Sequence, residues 1–289
     1  MSALKNDNRT AHALAKDDYF MASNDEAQRL SNQHWVIKDA MPGSNLVCAP
    51  IDMSRGYLHI LDSGTADGTW VLDLNKETGG QHQFVGTDVL ATQLPKNYPP
   101  NTTFHPQNIN NRWPEEYLQS FDLVHQRLTL PFAGNRCQES LFALMDMVKP
   151  GGWIQLMEGT LLTPEPVERN PCMHNYLKIV RAIYISLGAP LTLSVDIPKW
   201  LEEGGFVNVE TREVHVQMGA SNENVDLGRK GAVTQRLAAM GMVEAARKLN
   251  TLPIKEESLN TFVEDFSQEL SEKGACFPIM AIWAQKKAA

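Results

Sequence analysis

The chain of 289 residues has little of what marks several common protein classes. Its four cysteines lie far apart and form no C-x-x-C pair, so we expect neither a disulfide framework nor a metal site. The net charge is -8 and no basic run precedes Lys286, which argues against a nucleic-acid partner. The chain contains no run of about 18 apolar residues, and its beginning, "MSALKNDNRT", is polar. We therefore expect a cytoplasmic protein that binds no membrane.

Short apolar runs that alternate with helical stretches predict an α/β fold with a parallel sheet. The runs are "YLHILD", "HQFVGTD", "FDLVHQ" and "GWIQLME", and two further strands, "FVNVETREVHVQMG" and "CFPIMAIWAQKK", follow through helices. We divide the chain into a flexible N-terminus, a helical lead-in and one main domain, which are residues 1–23, 24–50 and 51–289. Lid-like helical insertions are expected at about 165–195 and 222–270.

The segment "ILDSGTADGTW" predicts a strand that ends at Asp62 and a glycine-rich turn that enters a helix. Such a turn brings backbone amides and a helix N-terminus close to a ligand. The next predicted strand ends in a second acid, Asp88, which suits a cofactor that contains ribose. The spacing of Gly64, Ala66 and Gly68 fits neither the dinucleotide fingerprint nor a P-loop. A tight turn without a ligand is the alternative on the loop alone.

Several motifs in sequence order resemble those of class I S-adenosylmethionine-dependent methyltransferases, and within them the fungal LaeA-type group. The similar segments include "DEAQRLSNQH", "LVCAPI", "ILDSGTADGTWVLDL", "FVGTDVL", "NTTFHPQNINNRWPEEYLQSFDLVHQR", "MVKPGGWIQLMEG", "WLEEGGFVNVE" and "ACFPIMAIWAQKK". The resemblance implies a Rossmann-like fold with a seven-stranded, mostly parallel sheet and a final antiparallel strand. It also implies S-adenosylmethionine as the cofactor.

Carried over by position, the resemblance assigns parts of the cofactor to particular residues. Asp62 and the glycine loop would line its methionine part, and Asp88 would accept the ribose hydroxyls. Asn108 would hold the adenine where the family commonly has an Asp, and its carbonyl oxygen can meet the adenine amino group. The full set implied is Asp62, Gly64, Thr65, Ala66, Gly68, Asp88, Val89, Asn108, Ile109, His125 and Gln126.

Ala66 departs from the usual pattern of this loop, because a glycine would commonly lie between Gly64 and Gly68. If the backbone of Ala66 has a positive φ, its Cβ costs on the order of 1 to 2 kcal/mol. If φ is negative, the loss is only some room near the cofactor. We expect cofactor binding to survive in either case.

Methyl transfer requires alignment and exclusion of water, and it requires a base only when the acceptor must lose a proton. The predicted strand "FDLVHQR" should direct His125 and Arg127 toward the transferring methyl, with His125 as the candidate base. His125 could instead contact the cofactor or end the strand, and Arg127 could orient an acceptor or form an ion pair. Glu158 should face the same cleft, with an ion pair as its alternative role.

Aromatic and histidine side chains of the added helices are candidates for contact with the acceptor. Trp35 belongs to the N-terminal helix, and His174, Tyr176 and Tyr184 share one predicted helix. Packing between lid and core is the alternative for this set.

The leading functional hypothesis is N- or O-methylation of a small-molecule acceptor in fungal secondary metabolite biosynthesis. A LaeA-like regulator in a nuclear complex is the second hypothesis, and a cofactor-binding protein that catalyses a non-methylating rearrangement is the third. The sequence leaves the oligomeric state open.

Overall fold

A computed structural model describes residues 24–162 and 168–288. Its centre is a seven-stranded sheet in the order β3-β2-β1-β4-β5-β7-β6. The final strand, β7, pairs antiparallel with β5 and β6, and the other pairs are parallel. The predicted α/β fold with a mostly parallel sheet and a final antiparallel strand is therefore confirmed. The strands are β1 His59–Ser63, β2 Gln83–Asp88, β3 Thr102–Pro106, β4 Phe121–Arg127, β5 Val148–Gly159, β6 Phe206–Met218 and β7 Ala275–Lys286.

Seven α-helices flank or extend the sheet within the described ranges. The helices α2, α3 and α5 connect strands, as the alternating pattern predicts, whereas α1 precedes the sheet and α4, α6 and α7 are additions to it. The predicted flexible segment 1–23 and residues 163–167 of the first insertion lie outside the described residues. The helices are α1 Asn24–Ala40, α2 Thr69–Glu77, α3 Cys137–Met147, α4 Pro171–Leu187, α5 Leu193–Glu203, α6 Val225–Lys248 and α7 Phe262–Glu272.

The central strands are apolar on both faces because helices cover both sides of the sheet. Ile60 and Leu123 belong to the core on one face, and Leu61 and Val124 belong to the core on the other. All four side chains are fully buried. This packing fixes the carboxyl ends of β1, β2 and β4 along one edge, where parallel α/β sheets place their ligands.

The added helices lie together above that edge. Helix α6 packs against α1, α4 and α7, and α1 also contacts α2. The α1–α2 contact is polar, because Asp73 of α2 accepts from Lys38 Nζ at 2.6 Å and lies 2.9 Å from His34 Nε2. Burial lowers the pKa of His34 to about 4, so its imidazole is neutral at pH 7. None of the described helices is long and apolar enough to span a bilayer.

Candidate functional site

The turn between β1 and α2 contains three residues in the left-handed region. Gly64 has a φ of 74°, Ala66 has 52° and Gly68 has 73°. The amides of Gly64 and Thr65 both donate to Thr87 O at 2.8 Å, which holds the turn against the end of β2. Ala66 is therefore a strained position, since an alanine Cβ crowds the backbone at positive φ. Of the two cases predicted for Ala66, the structure shows the one with positive φ.

The strain at Ala66 predicts that Ala66→Gly stabilises the fold. Relief of the left-handed alanine outweighs the extra freedom that glycine has in the unfolded chain, and we expect a gain of about 0.5 to 1 kcal/mol. The matched control is Ala143→Gly in the middle of α3, where glycine should cost about 1 kcal/mol. Urea unfolding of both variants measures the difference. A loss of stability in Ala66→Gly would show that the alanine is not strained there.

Asp88, at the end of β2, ties together the turn and the segment that follows β2. Its Oδ2 accepts from the Ala66 amide at 3.0 Å and its Oδ1 accepts from the Leu90 amide at 3.0 Å. Burial raises the pKa of Asp88, and these backbone donors oppose that shift. Each carboxylate oxygen retains a further lone pair toward the cavity that Asp88 lines.

Asp62 and His125 face each other across β1 and β4, since their Cα atoms are register partners. His125 Nδ1 lies 2.7 Å from Asp62 Oδ1, and the imidazole stacks on Trp70 with ring centroids 3.9 Å apart. Burial lowers the pKa of His125, which makes the ring neutral and Nδ1–H the donor to Asp62. His125 Nε2 is buried and has no hydrogen-bond partner among the described residues.

A small pocket of about 40 Å³ opens beside Asp62 and His125. Asp67 and Arg127 also line it, as does Trp70 at the start of α2. The attraction of Asp62 and Asp67 opposes the lowering of the Arg127 pKa by burial, and the guanidinium stays charged. The pocket thus combines carboxylates, a cation and a helix N-terminus in a confined space.

A larger cavity of about 250 Å³ joins this pocket at residues that line both, among them Gly64 and Arg127. We define its loop half as the part lined by the turn and by the segments after β2 and β3. The loop half comprises Gly64, Ala66, Asp88, Val89, Gln93, Gln107, Asn108, Ile109 and Asn110. Arg127, the last residue of β4, and Leu128 and Thr129, which follow it, also line the cavity, and we call these three residues the junction.

The helix half of the cavity is the part walled by α1, α4, α6 and the adjoining ends of β6 and β7. Its charged residues, Glu26 and Arg29, form a bidentate ion pair at 2.7 and 2.8 Å. The remaining wall is mostly apolar. It comprises Leu30, Val36, Ile37, Tyr176, Val180, Ile183, Tyr184, Leu187, Val216, Met218, Gly231, Thr234, Gln235, Ala238, Met242, Phe277 and Ile279, with Gln33 at its edge.

The site residues predicted from the sequence fall into two groups. The structure brings Asp62, Gly64, Thr65, Ala66, Asp88, Val89, Asn108, Ile109, His125, Arg127, Tyr176 and Tyr184 to one of the two pockets. The residues Trp35, Gly68, Gln126, Glu158 and His174 do not line either pocket within the described part of the chain.

The second group lies elsewhere for identifiable reasons. Trp35 is 37% exposed on the outer side of α1, because the neighbouring positions Val36 and Ile37 face inward. His174 does not lie on the face of α4 that lines the cavity and contains Tyr176 and Tyr184. Gln126 alternates with His125 along β4, and its Nε2 donates to Ser63 Oγ at 3.0 Å on the other face of the sheet. Gly68 shapes the turn, where an added Cβ would lie 2.6 Å from Pro95.

Glu158, at the end of β5, has a structural contact that the sequence did not reveal. Its Oε1 accepts from the amides of Thr129 and Leu130 at 3.1 and 3.0 Å, which fixes the chain leaving β4. Burial raises the pKa of Glu158 to about 8, so the carboxyl keeps its proton at pH 7. The position favours a role in shaping the junction over direct contact with an acceptor.

The raised pKa of Glu158 predicts a pH-dependent stability. Between about pH 5 and pH 8 the folded carboxyl keeps a proton that the unfolded chain releases, so rising pH lowers the free energy of unfolding. Glu158→Gln cannot ionise, and its advantage over the wild type should grow across this range by up to about 1.4 kcal/mol per pH unit. Urea unfolding at several pH values measures the difference, with exposed Glu213→Gln as the control. Parallel profiles for the wild type and Glu158→Gln would contradict the raised pKa.

Several lining residues were missed by sequence reasoning. On α1, the inward positions Glu26, Arg29, Leu30, Gln33 and Ile37 follow a helical stripe that periodicity could have identified. The lining residues of β6, α6 and β7 could not be found in this way. They meet the cavity through tertiary contacts, because α6 packs against α1 and α4 and because β6 pairs with β7.

The sequence is similar to fungal N-methyltransferases, although no protein-family model matches it. It is 34% identical over 283 residues to the N-methyltransferase sirN of Leptosphaeria maculans, which is 95% of this chain and 97% of that protein. It is 32% identical over 273 residues to the N-methyltransferase gliN of Aspergillus fumigatus, which is 90% of this chain and 93% of that protein.

Solved structures share the fold at low sequence identity. One is a chain of the complex between the Haloferax volcanii Trm112 methyltransferase activator and a putative methyltransferase. Its TM-score is 0.55 and its identity 14%, and the match covers 94% of this chain and 99% of that chain. Another is the Haemonchus contortus phosphoethanolamine N-methyltransferase 2 in complex with S-adenosyl-L-methionine. Its TM-score is 0.53 and its identity 14%, and the match covers 96% of this chain and 60% of that chain.

Proposed function

The chain belongs to the S-adenosylmethionine-dependent methyltransferases, and we propose that it methylates a nitrogen atom of a small, uncharged, largely apolar metabolite. The observation that carries this proposal is the cavity itself, which the loop half, the helix half and the junction residues Arg127, Leu128 and Thr129 line together. A cofactor in one half and an acceptor in the other would meet at that junction.

The residues of the loop half fit the adenosine part of the cofactor. Asp88 offers carboxylate lone pairs for the ribose hydroxyls, and Val89 and Ile109 offer apolar contact for the adenine. Asn108 Oδ1 accepts from the Asn110 amide at 2.9 Å, and its second lone pair is available to the adenine amino group. We assign these four residues to the adenosine.

The small pocket fits the amino-acid part of the cofactor. That part carries an ammonium and a carboxylate, and the pocket offers Asp62 and Asp67 for the first and Arg127 for the second. In the described part of the chain, the Arg127 guanidinium makes no hydrogen bond to a protein group, which leaves its donors for a carboxylate. Gly64, Thr65 and Ala66 line the same pocket and complete the assignment. Gly68 contributes through the shape of the turn.

When bound, the cofactor would supply an electrophilic methyl group on a sulfonium. The S–CH3 bond breaks as the N–CH3 bond forms, S-adenosylhomocysteine leaves, and the methylated nitrogen releases its proton to solvent. The protein's own contribution is alignment and exclusion of water, which the enclosed junction between the two halves favours. His125 donates to Asp62 and stacks on Trp70, so we propose that it positions Asp62 and does not act as the base. Glu158 likewise acts through the backbone of Thr129 and Leu130.

The helix half supports an uncharged acceptor. Its acid and base, Glu26 and Arg29, neutralise each other at hydrogen-bond distance, and the surrounding wall is apolar. A charged acceptor would lose its hydration there without gaining a counter-ion, which is costly. We include Tyr176 and Tyr184 in the acceptor site because both line this half.

The choice of nitrogen over oxygen rests on the relatives, several of which are named N-methyltransferases. The order of the sequence motifs supports placement in the LaeA-type group and a role in fungal secondary metabolite biosynthesis. We expect α4, α6 and α7, which belong to the two predicted insertions, to act as a lid over the acceptor.

Titration calorimetry followed by a turnover assay tests this proposal. S-adenosylmethionine should bind and NAD should not. S-adenosylhomocysteine should then form in a metabolite extract of the source organism from which the gene of this chain has been deleted, because such an extract accumulates the unmethylated acceptor. Binding without turnover in that extract would overturn the proposed transfer and favour a regulatory or rearrangement function.

A further inference from the structure

Two buried polar side chains stand out in the apolar helix half of the cavity. Tyr176 of α4 is 5% exposed and Gln235 of α6 is 6% exposed, and both line the cavity. The Tyr176 ring is held by stacking on Phe266, with ring centroids 5.5 Å apart. The phenol and the amide therefore lie in a dry environment on two helices that pack against each other.

The Gln235 side chain does not have its hydrogen bonds satisfied within the described part of the chain. Gln235 Nε2 is buried without a partner, and the amide lies close enough to Tyr176 to oppose the rise in the phenol pKa. An unsatisfied buried polar group costs about 1 to 3 kcal/mol. The neighbouring Thr234 differs, since its hydroxyl donates to Arg29 O at 3.3 Å. The unsatisfied Gln235 amide beside the Tyr176 phenol is thus a local feature that points to a ligand.

The charges near Tyr176 and Gln235 favour a neutral ligand. Arg29 is held by Glu26 in a bidentate ion pair without net charge, and the Arg29 charge acts on the Tyr176 phenol only by opposing the rise in its pKa. Burial raises the pKa of Tyr176 to about 12, which keeps the phenol protonated and able to donate. An amide such as Gln235 can present its N–H group to the cavity after rotation about its last bond.

We propose that Tyr176 and Gln235 together hold a carbonyl oxygen of the acceptor and thereby determine which of its atoms faces the junction at Arg127, Leu128 and Thr129. This inference rests on the proposed function, because it assigns the helix half to the acceptor. Two donors on one oxygen fix the orientation of a molecule whose apolar body makes few directional contacts. Tyr176 and Gln235 are in this sense specificity-determining residues.

A matched pair of probes tests the inference without turnover. Benzylacetone and butylbenzene have similar apolar bodies, and only the first carries a carbonyl oxygen. With S-adenosylhomocysteine present to fill the loop half, the wild type should bind the ketone about tenfold more tightly than the hydrocarbon. NMR titration measures both dissociation constants, and the side-chain amide signal of Gln235 should shift with the ketone only.

The variants Gln235→Met and Tyr176→Phe should each reduce this preference severalfold while they still bind butylbenzene. Thr251→Val, which removes a hydroxyl that is paired with Ala182 O outside the cavity, should keep the full preference. Equal binding of the two probes by the wild type, or an unchanged preference in both variants, would overturn the inference. Failure of S-adenosylhomocysteine to bind would instead count against the proposed function, and the probe ratio can then be measured without it.

Discussion

Asp88→Ala should weaken the binding of S-adenosylmethionine by about 100-fold or more. In the proposed complex the carboxylate accepts from two ribose hydroxyls, and hydrogen bonds to a charged group contribute about 1.5 to 3 kcal/mol each. The substitution also releases the amides of Ala66 and Leu90, which Asp88 holds at 3.0 Å. Titration calorimetry measures the affinity.

Two further variants separate the lost charge from a general effect on the protein. Asp88→Asn keeps an oxygen acceptor and should show a smaller loss, of about tenfold. Asp52→Asn removes an exposed carboxylate of the segment before β1 and should bind as the wild type does. An affinity of Asp88→Ala within about threefold of the wild type would show that this carboxylate does not hold the ribose.

Gly64→Ala should combine a loss of stability with a loss of cofactor binding. An added Cβ would lie 2.2 Å from Thr129 Oγ1, and the φ of 74° disfavours any side chain. The left-handed backbone costs about 1 to 2 kcal/mol, and the overlap costs about 1 to 3 kcal/mol more. The overlap should push the turn and Thr129 apart. Because Gly64 and Thr129 both line the cavity, this shift should lower the affinity for S-adenosylmethionine by at least about tenfold.

Gly79→Ala is the matched control for this substitution. Gly79 has a φ of 67° and nothing lies within 4 Å of its added Cβ, so it reports the backbone cost alone. The double variant Gly64→Ala with Thr129→Ala should recover most of the part due to overlap, because only Thr129 Cβ, 2.9 Å from the added Cβ, remains close, and none of the part due to φ. If Gly64→Ala and Gly79→Ala were equally stable and bound the cofactor equally well, the close approach of the turn to Thr129 would have no energetic consequence.

Much of the fold could be predicted from the sequence because local patterns agree with the tertiary structure. The strands that end at Ser63, Asp88 and Arg127 carry apolar runs between helical stretches, and their carboxyl ends necessarily lie along one edge of a parallel sheet. That rule alone brings Asp62, Asp88 and His125 to the same region.

The environment of individual side chains was less predictable, because it depends on contacts between distant segments. The ordinary pKa of histidine makes His125 a candidate base, yet Trp70 of α2 covers its ring and its Nδ1 lies 2.7 Å from Asp62 Oδ1. Glu158 ends β5 as expected, but its partners are amides of the chain that leaves β4. Neither contact leaves a signal in sequence spacing.

The acceptor site was the least predictable part. Tyr176 was named from its helix, whereas its neighbour Gln235 is an ordinary position on a long helix until α6 packs against α4. Trp35 was predicted because its helix was expected to close the cleft, yet it lies outside the cavity, off the inward stripe of α1 that helical periodicity defines.

The most direct test of nitrogen methylation follows the methyl group itself. The protein is incubated with S-adenosylmethionine labelled with ¹³C in the methyl group and with the extract from which the gene has been deleted. The labelled product is then isolated and analysed by heteronuclear NMR. We predict that the labelled methyl is bonded to a nitrogen of an uncharged product that carries a carbonyl group. A labelled methyl on oxygen or carbon, or no labelled product although the cofactor binds, would contradict the account.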